Sequence, residues 1–176
     1  MKRIRTHVLI SAIVLGITVG MVGVVFAASV HFKNSTPVTD TRSNDKLQLT
    51  VCGALAGLGN DTVKVTVTAS ANPTATCSNP GNGNQAPGQN PAQVSVTGSQ
   101  QFSPDLIKNG NLSFCVTTQP PTQPTPAAAG CPNGSWTAHI DCMAFTGYTI
   151  TVEQPPGNFV LGPTAFTASS SSSSCP

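Results

Sequence analysis

Residues 47–71 read LQLTVCGALAGLGNDTVKVTVTASA, and their alternation decides the fold class. Leu47, Leu49, Val51, Gly53 and Leu55 alternate with Gln48, Thr50, Cys52 and Ala54, the period of two of a strand with one buried face. Gly57-Leu58-Gly59-Asn60-Asp61 is a turn. Val63, Val65, Val67, Ala69 and Ala71 then alternate with Thr62, Lys64, Thr66, Thr68 and Ser70, so a second strand follows and the two are expected to form a hairpin.

The pattern weakens beyond this pair. Residues 72–91 (NPTATCSNPGNGNQAPGQNP) hold twelve Asn, Pro or Gly among twenty, which predicts a long loop carrying Cys77. A third strand is expected at 93–97 with Val94 and Val96 inward, then a turn of helix or a bulge at 102–109. Leu112, Phe114 and Val116 define a fourth strand, on which Cys115 points the other way. The Pro-rich linker 119–134 carries Cys131. After it, Trp136, Ala138 and Ile140 are expected inward on a fifth strand, residues 145–148 turn the chain, and Ile150 and Val152 form a sixth. A last edge strand spans 159–166, interrupted by Pro163. The Ser-rich tail from 169 reads as flexible on composition.

Six to seven short strands with turn signals between them and no amphipathic helix predict an all-β sandwich, immunoglobulin-like or fibronectin-like, with a small barrel as the alternative. The expected organisation is a targeting segment at 1–27, an irregular lead-in at 28–45, the sandwich at 46–167 and the tail at 168–176.

The N-terminal segment sets the compartment. Lys2, Arg3 and Arg5 form a basic head, an uncharged apolar run covers 8–26, and Val25 and Ala27 stand at the minus-three and minus-one positions of a cleavage site. A signal-peptide core is about 7–15 residues and a membrane-spanning helix about 20, and this run lies between them. Removal and retention as an N-terminal apolar anchor helix both stay open; Gly16, Gly20 and Gly23 favour removal. Either way the chain that follows is expected outside the cytosol, secreted or on the cell surface.

Without the leader, five basic residues face six acids, a net charge of −1, and charged residues are only 8% of the chain. A nucleic-acid partner is excluded by the lack of any basic patch, and membrane contact is left to the N-terminal segment alone.

Export makes the six cysteines disulfide partners rather than metal ligands. If strands run alternately up and down, the loops holding Cys77 and Cys131 end at one pole, so these two are expected to pair. Cys52 and Cys115 sit mid-strand on the face away from the aliphatic side chains and pair only if their strands are neighbours. Cys142 and Cys175 are left for each other, with a link from Cys175 to another chain as the alternative. No metal site is expected: no two cysteines lie within four residues, and His139 near Cys142 has no second pair.

No catalytic constellation stands out. His139 and Asp141 share one strand face, where they form a polar surface pair or, less simply, a base and its orienting carboxylate; no GxSxG elbow supplies a nucleophile. Glu153 is the only glutamate, Asp40, Asp45 and Asp61 are scattered, and GLGN at 57–60 lacks the lysine of a phosphate loop. No enzyme and no cofactor are expected. Sequons stand at Asn34, Asn60, Asn111 and Asn133.

The stretches CSNPGNGNQAPGQNP (77–91), QVSVTGSQ (93–100), GCPNGSWTAHI (130–140) and TITVEQ (149–154) together resemble a group of small exported bacterial β-sandwich proteins, over about residues 47–154. In that group the counterparts of Cys77 and Cys131 recur and no catalytic residue carries over; Cys52, Cys115, Cys142 and Cys175 lie outside its pattern. The expected role is a non-enzymatic structural or adhesive module at the cell surface, with the loops 72–91 and 119–134 facing a surface protein or polysaccharide. Carbohydrate binding by those polar loops is the runner-up, although Tyr148 is the only tyrosine and Trp136 is expected in the core. A secreted hydrolase using His139 is the third reading.

Overall fold

The computed structural model describes residues 29–83, 85–87 and 91–175; the targeting segment expected at 1–27 lies outside the described residues. The described residues form nine strands: β1 (His31–Phe32), β2 (Thr39–Arg42), β3 (Leu49–Ala56), β4 (Val63–Ser78), β5 (Gln85–Pro87), β6 (Val94–Phe102), β7 (Leu112–Thr117), β8 (Thr137–Glu153) and β9 (Phe159–Thr167). A single 3-10 turn, Pro104–Leu106, follows β6. The strands make two antiparallel sheets, consistent with a sandwich.

In the smaller sheet, β7 pairs along one edge of β3, and β1 and β2 share the other end to end. The larger sheet is built on two long strands, β4 and β8, paired from Lys64–Glu153 to Ser78–Thr137. Strands β6 and β5 follow one another along the outer edge of β4, and β9 flanks β8. Between the sheets lie Leu49, Val51 and Leu55 from one side and Val63, Val65, Val67, Phe145, Ile150 and Val152 from the other, none with any exposed surface. Each such aliphatic side chain contributes about 1.5–3 kcal/mol by leaving water.

The expected hairpin is not one. β3 and β4 belong to different sheets, and residues 57–62 carry the chain across the core instead of round an edge. Alternation reports only that one face is buried; here the two apolar faces meet each other, about 10 Å apart, and the edges pair elsewhere. Two glycines allow close approach within this frame. A Cβ on Gly53 would meet the Phe114 ring at 3.0 Å, and one on Gly98 would lie 2.1 Å from the Thr117 carbonyl oxygen. At Gly98 the chain leaves β7 and crosses onto β6, donating Gln119 N–H to the Thr97 carbonyl at 3.0 Å.

Four further expectations change. The loop expected from 72 begins only after Ser78, because Pro73, Ala75 and Cys77 are buried while Asn72, Thr74, Thr76 and Ser78 face out, which continues the alternation. Pro73 is tolerated because its partner Met143 uses other groups: its N–H goes to the Lys46 carbonyl and its carbonyl accepts from Arg42. The expected turn at 145–148 is a bulge inside β8, where Ser70 opposes Gly147 and Ala71 opposes Phe145, leaving Thr146 to donate its hydroxyl to the Ser70 carbonyl. The lead-in is not irregular throughout, since β1 and β2 fill the edge of β3; two- and four-residue strands are too short to show a period.

The tail is bound down as well. Asp40 accepts from Ser169 N–H and hydroxyl, Ser172 has no exposed surface and its carbonyl accepts Phe145 N–H, and Arg42 donates to the Ser174 carbonyl. Serine content alone does not free a segment whose hydrogen bonds the sheet satisfies.

Candidate functional site

The outer face of the larger, five-stranded sheet carries a regular polar surface. Because β4 buries its odd-numbered residues, its even ones face out, and the register sets them against hydroxyls on both neighbours. Ser99, Thr66 and Thr151 form one row; Thr97, Thr68 and Thr149 a second; Ser95, Ser70, Gly147 and Thr167 a third. Within a row neighbouring strands are about 4.8 Å apart, and successive rows are about 6.6 Å apart along the strand. Thr68 and Thr97 share a hydrogen bond of 3.2 Å between their hydroxyls. Gly147 carries no side chain, and around it lies a shallow depression of about 410 Å³ in which Thr68, Ser70, Gln93, Thr146 and Thr149 stand beside Tyr148, Ala165 and Phe166.

Charge is confined to the ends of this face. At one end the only ion pair among the described residues joins Lys64 to Glu153 at 3.3 Å. The Gly157 amide, donating at 2.6 Å, and then Lys64 hold the Glu153 carboxyl below its ordinary value despite its desolvation. At the other end His139 and Asp141 are both exposed on β8. His139 sits opposite Thr76, and no hydrogen bond joins it to a serine among the described residues. Between the two ends the surface is neutral hydroxyl and amide.

The structure brings the cysteines together in three pairs: Cys52–Cys115, Cys77–Cys131 and Cys142–Cys175. These are consistent with an extracellular location. Cys52 and Cys115 are directly opposed on β3 and β7. Cys77 lies on β4 instead of in a loop, and Cys131 brings the linker against it. That linker covers the overhang of the β4–β8 ribbon, where no strand of the smaller sheet reaches among the described residues. Ala129 packs on Ala75 and Ala138, and the Gln123 side chain accepts Ile140 N–H at 2.6 Å. Loop residues expected to be open to a partner therefore serve in part as core.

Two aromatic placements matter. Trp136 precedes β8 and is half-buried, not an inward strand residue, because the strand begins one residue later. Tyr148 is buried and stacks on Phe166, with ring centroids 5.3 Å apart; burial, and secondarily the charge of Asp40, pushes its phenol up to about 12. Neither residue offers a stacking platform on the hydroxyl face. The rows themselves were half legible: Thr66, Thr68 and Ser70 were read as outward, but their partners depend on register.

No protein-family model matches the chain, and no curated protein matches it. Among solved structures it is similar to DesR, a β-glucosidase from Streptomyces venezuelae solved in complex with D-glucose, at 15% identity and a TM-score of 0.34. The match covers 80% of this chain, which spans 15% of the length of that enzyme.

Proposed function

We propose that the chain is an exported, non-enzymatic adhesive module of immunoglobulin-like or fibronectin-like type, acting at the cell surface through the hydroxyl face of its larger sheet. The observation that carries this reading is the set of neutral hydroxyl rows on β6, β4 and β8, with charge only at its ends. Such a face offers donors and acceptors at fixed spacing on a rigid scaffold and presents no charge to desolvate. Its side chains are short, so little rotamer entropy is lost on contact.

Adhesion of protein-coated beads to envelope preparations of the source cells tests it. Replacing Thr68 and Thr149 by arginine is expected to abolish adhesion while lowering stability by only about 1–2 kcal/mol, the cost of the opposed like charges and the lost Thr68–Thr97 hydrogen bond. Full adhesion by the double variant would remove the face from the account. A neutral polysaccharide as the partner is the second reading, favoured by the depression beside Gly147, where hydroxyls and the Gln93 amide stand next to Tyr148, Ala165 and Phe166. Binding on a glycan array that the same variant loses supports it, and a flat array counts against it.

A further inference from the structure

The three disulfides are not equivalent. In two of them one cysteine is buried, Cys77 with no exposed surface and Cys142 with 4%, and its partner is half-buried, Cys131 and Cys175; in Cys52–Cys115 neither is buried, since Cys52 is half-buried and Cys115 exposed. The Cys52–Cys115 bond lies on the outer face of the smaller sheet, away from the core. The pairs on either side of it, Val51–Val116 and Gly53–Phe114, hold β3 and β7 together without it. Opening Cys142–Cys175 leaves the tail to the hydrogen bonds of Ser169, Ser172 and Ser174 alone, and opening Cys77–Cys131 leaves the linker to its packing and the Gln123 hydrogen bond on the ribbon overhang. Opening Cys52–Cys115 leaves two thiols facing each other on an intact ladder.

A second feature adjoins it. The next pair on the same face is Ala54–Ser113, about 6.6 Å along the strands. Both residues line a groove of about 370 Å³ that also takes in Lys33, Thr36 and Lys108. Neither lysine forms an ion pair among the described residues; Asp105 is the acid within the field of Lys108. The outward neighbours of the disulfide, Thr39, Thr50 and Thr117, are uncharged, so nothing beside the sulfurs repels an approaching anion. A groove of this size holds a small molecule.

We propose that Cys52–Cys115 is a thiol-exchange site for small carboxylate-bearing thiols, with Lys33 and Lys108 docking the carboxylates. The thiolate of the small molecule attacks Cys115 Sγ, forming a mixed disulfide and releasing Cys52 as a thiolate. A second thiolate then attacks the sulfur of the bound molecule. The small disulfide leaves, Cys115 becomes a thiolate, and the two protein thiolates take protons from water. One protein disulfide is reduced while two small thiols are oxidised, and the reverse sequence restores the bond.

The test uses the full oxidised chain, incubated with glutathione or, at equal thiolate concentration, with neutral 2-mercaptoethanol. Freed cysteines are alkylated over time and located by peptide mass spectrometry. Cys52 and Cys115 are expected to be labelled first, about tenfold faster with glutathione than with the neutral thiol. That advantage is expected to vanish in K33Q/K108Q and, in the unaltered chain, at 1 M salt, where charge is screened within about 3 Å. Earlier labelling of either other pair overturns the proposal. So does equal reactivity toward the two thiols, or an advantage that survives both neutralisation and salt.

Discussion

Gly98 is the position where the two sheets are tied most closely, and Gly98→Ala measures that tie. A methyl group there would stand 2.1 Å from the Thr117 carbonyl oxygen and 2.8 Å from Thr118 Cα, both backbone atoms that cannot swing aside. The crossing segment must move. Overpacking of this kind costs about 1–3 kcal/mol. The displacement also loosens the hydrogen bonds from Thr118 N–H to Leu49 O, 2.9 Å, and from Gln119 N–H to Thr97 O, 3.0 Å, each worth about 1 kcal/mol. The total is about 3–5 kcal/mol. With a urea slope of about 2 kcal/mol per molar, the midpoint falls by about 1.5–2.5 M. Gly162→Ala is the control, since a Cβ there meets nothing within 4 Å. It is expected to leave stability within about 0.5 kcal/mol and the midpoint within about 0.25 M. Equal midpoints for the two variants would refute the crossing of the chain over β6 and the sandwich geometry derived from it.

Replacing Cys77 and Cys131 together by alanine removes a closure of about 55 residues and is expected to cost about 4 kcal/mol, read as a lower thermal midpoint. An unchanged midpoint would leave the covering of the ribbon overhang to packing alone. Tyr148 is the only tyrosine, so ultraviolet titration reports it directly; its phenolate is expected near pH 12 in the folded protein, and ionisation near 10 would contradict its burial. Because that folded value is raised, its stabilisation is complete below about pH 10 and is lost as pH climbs toward 12, and Tyr148→Phe should flatten this alkaline limb. Glu153 has the opposite sign: its lowered carboxyl stabilises the fold above the ordinary carboxylate range and is lost as pH falls below it. Glu153→Gln is therefore expected to shallow the acid limb of a stability–pH curve, and an unaltered limb would remove the Gly157 and Lys64 contacts from the account.

How much of this was legible before the structure follows from what each signal measures. The valines of β4 and the leucines of β3 announced two half-buried strands because burial of one face leaves a period of two. Edge partnership leaves no such mark, so the step from β3 to β4 looked like a hairpin when it is a passage between sheets. Asn72 and Pro73 hid the second half of β4, since residue types that usually end strands outweighed the alternation of Pro73, Ala75 and Cys77. The long β8 was cut in two by Gly147, which marks a bulge. The hydroxyl face shared this fate: Thr66, Thr68 and Ser70 were visibly outward, but Ser99, Thr97, Thr149 and Thr151 join them only through pairing register. The lysine groove beside Cys115 combines residues 33, 36, 54, 108 and 113, a separation no linear pattern spans.

Proteolysis of the oxidised protein without reduction, followed by mass mapping of the cross-linked peptides, bears most directly on the whole scheme. Cys52 joined to Cys115, Cys77 to Cys131 and Cys142 to Cys175, with no alkylatable thiol, is the predicted result. Any other connectivity, or free sulfhydryls in the oxidised protein, would contradict the strand neighbourhoods and the proposed extracellular placement.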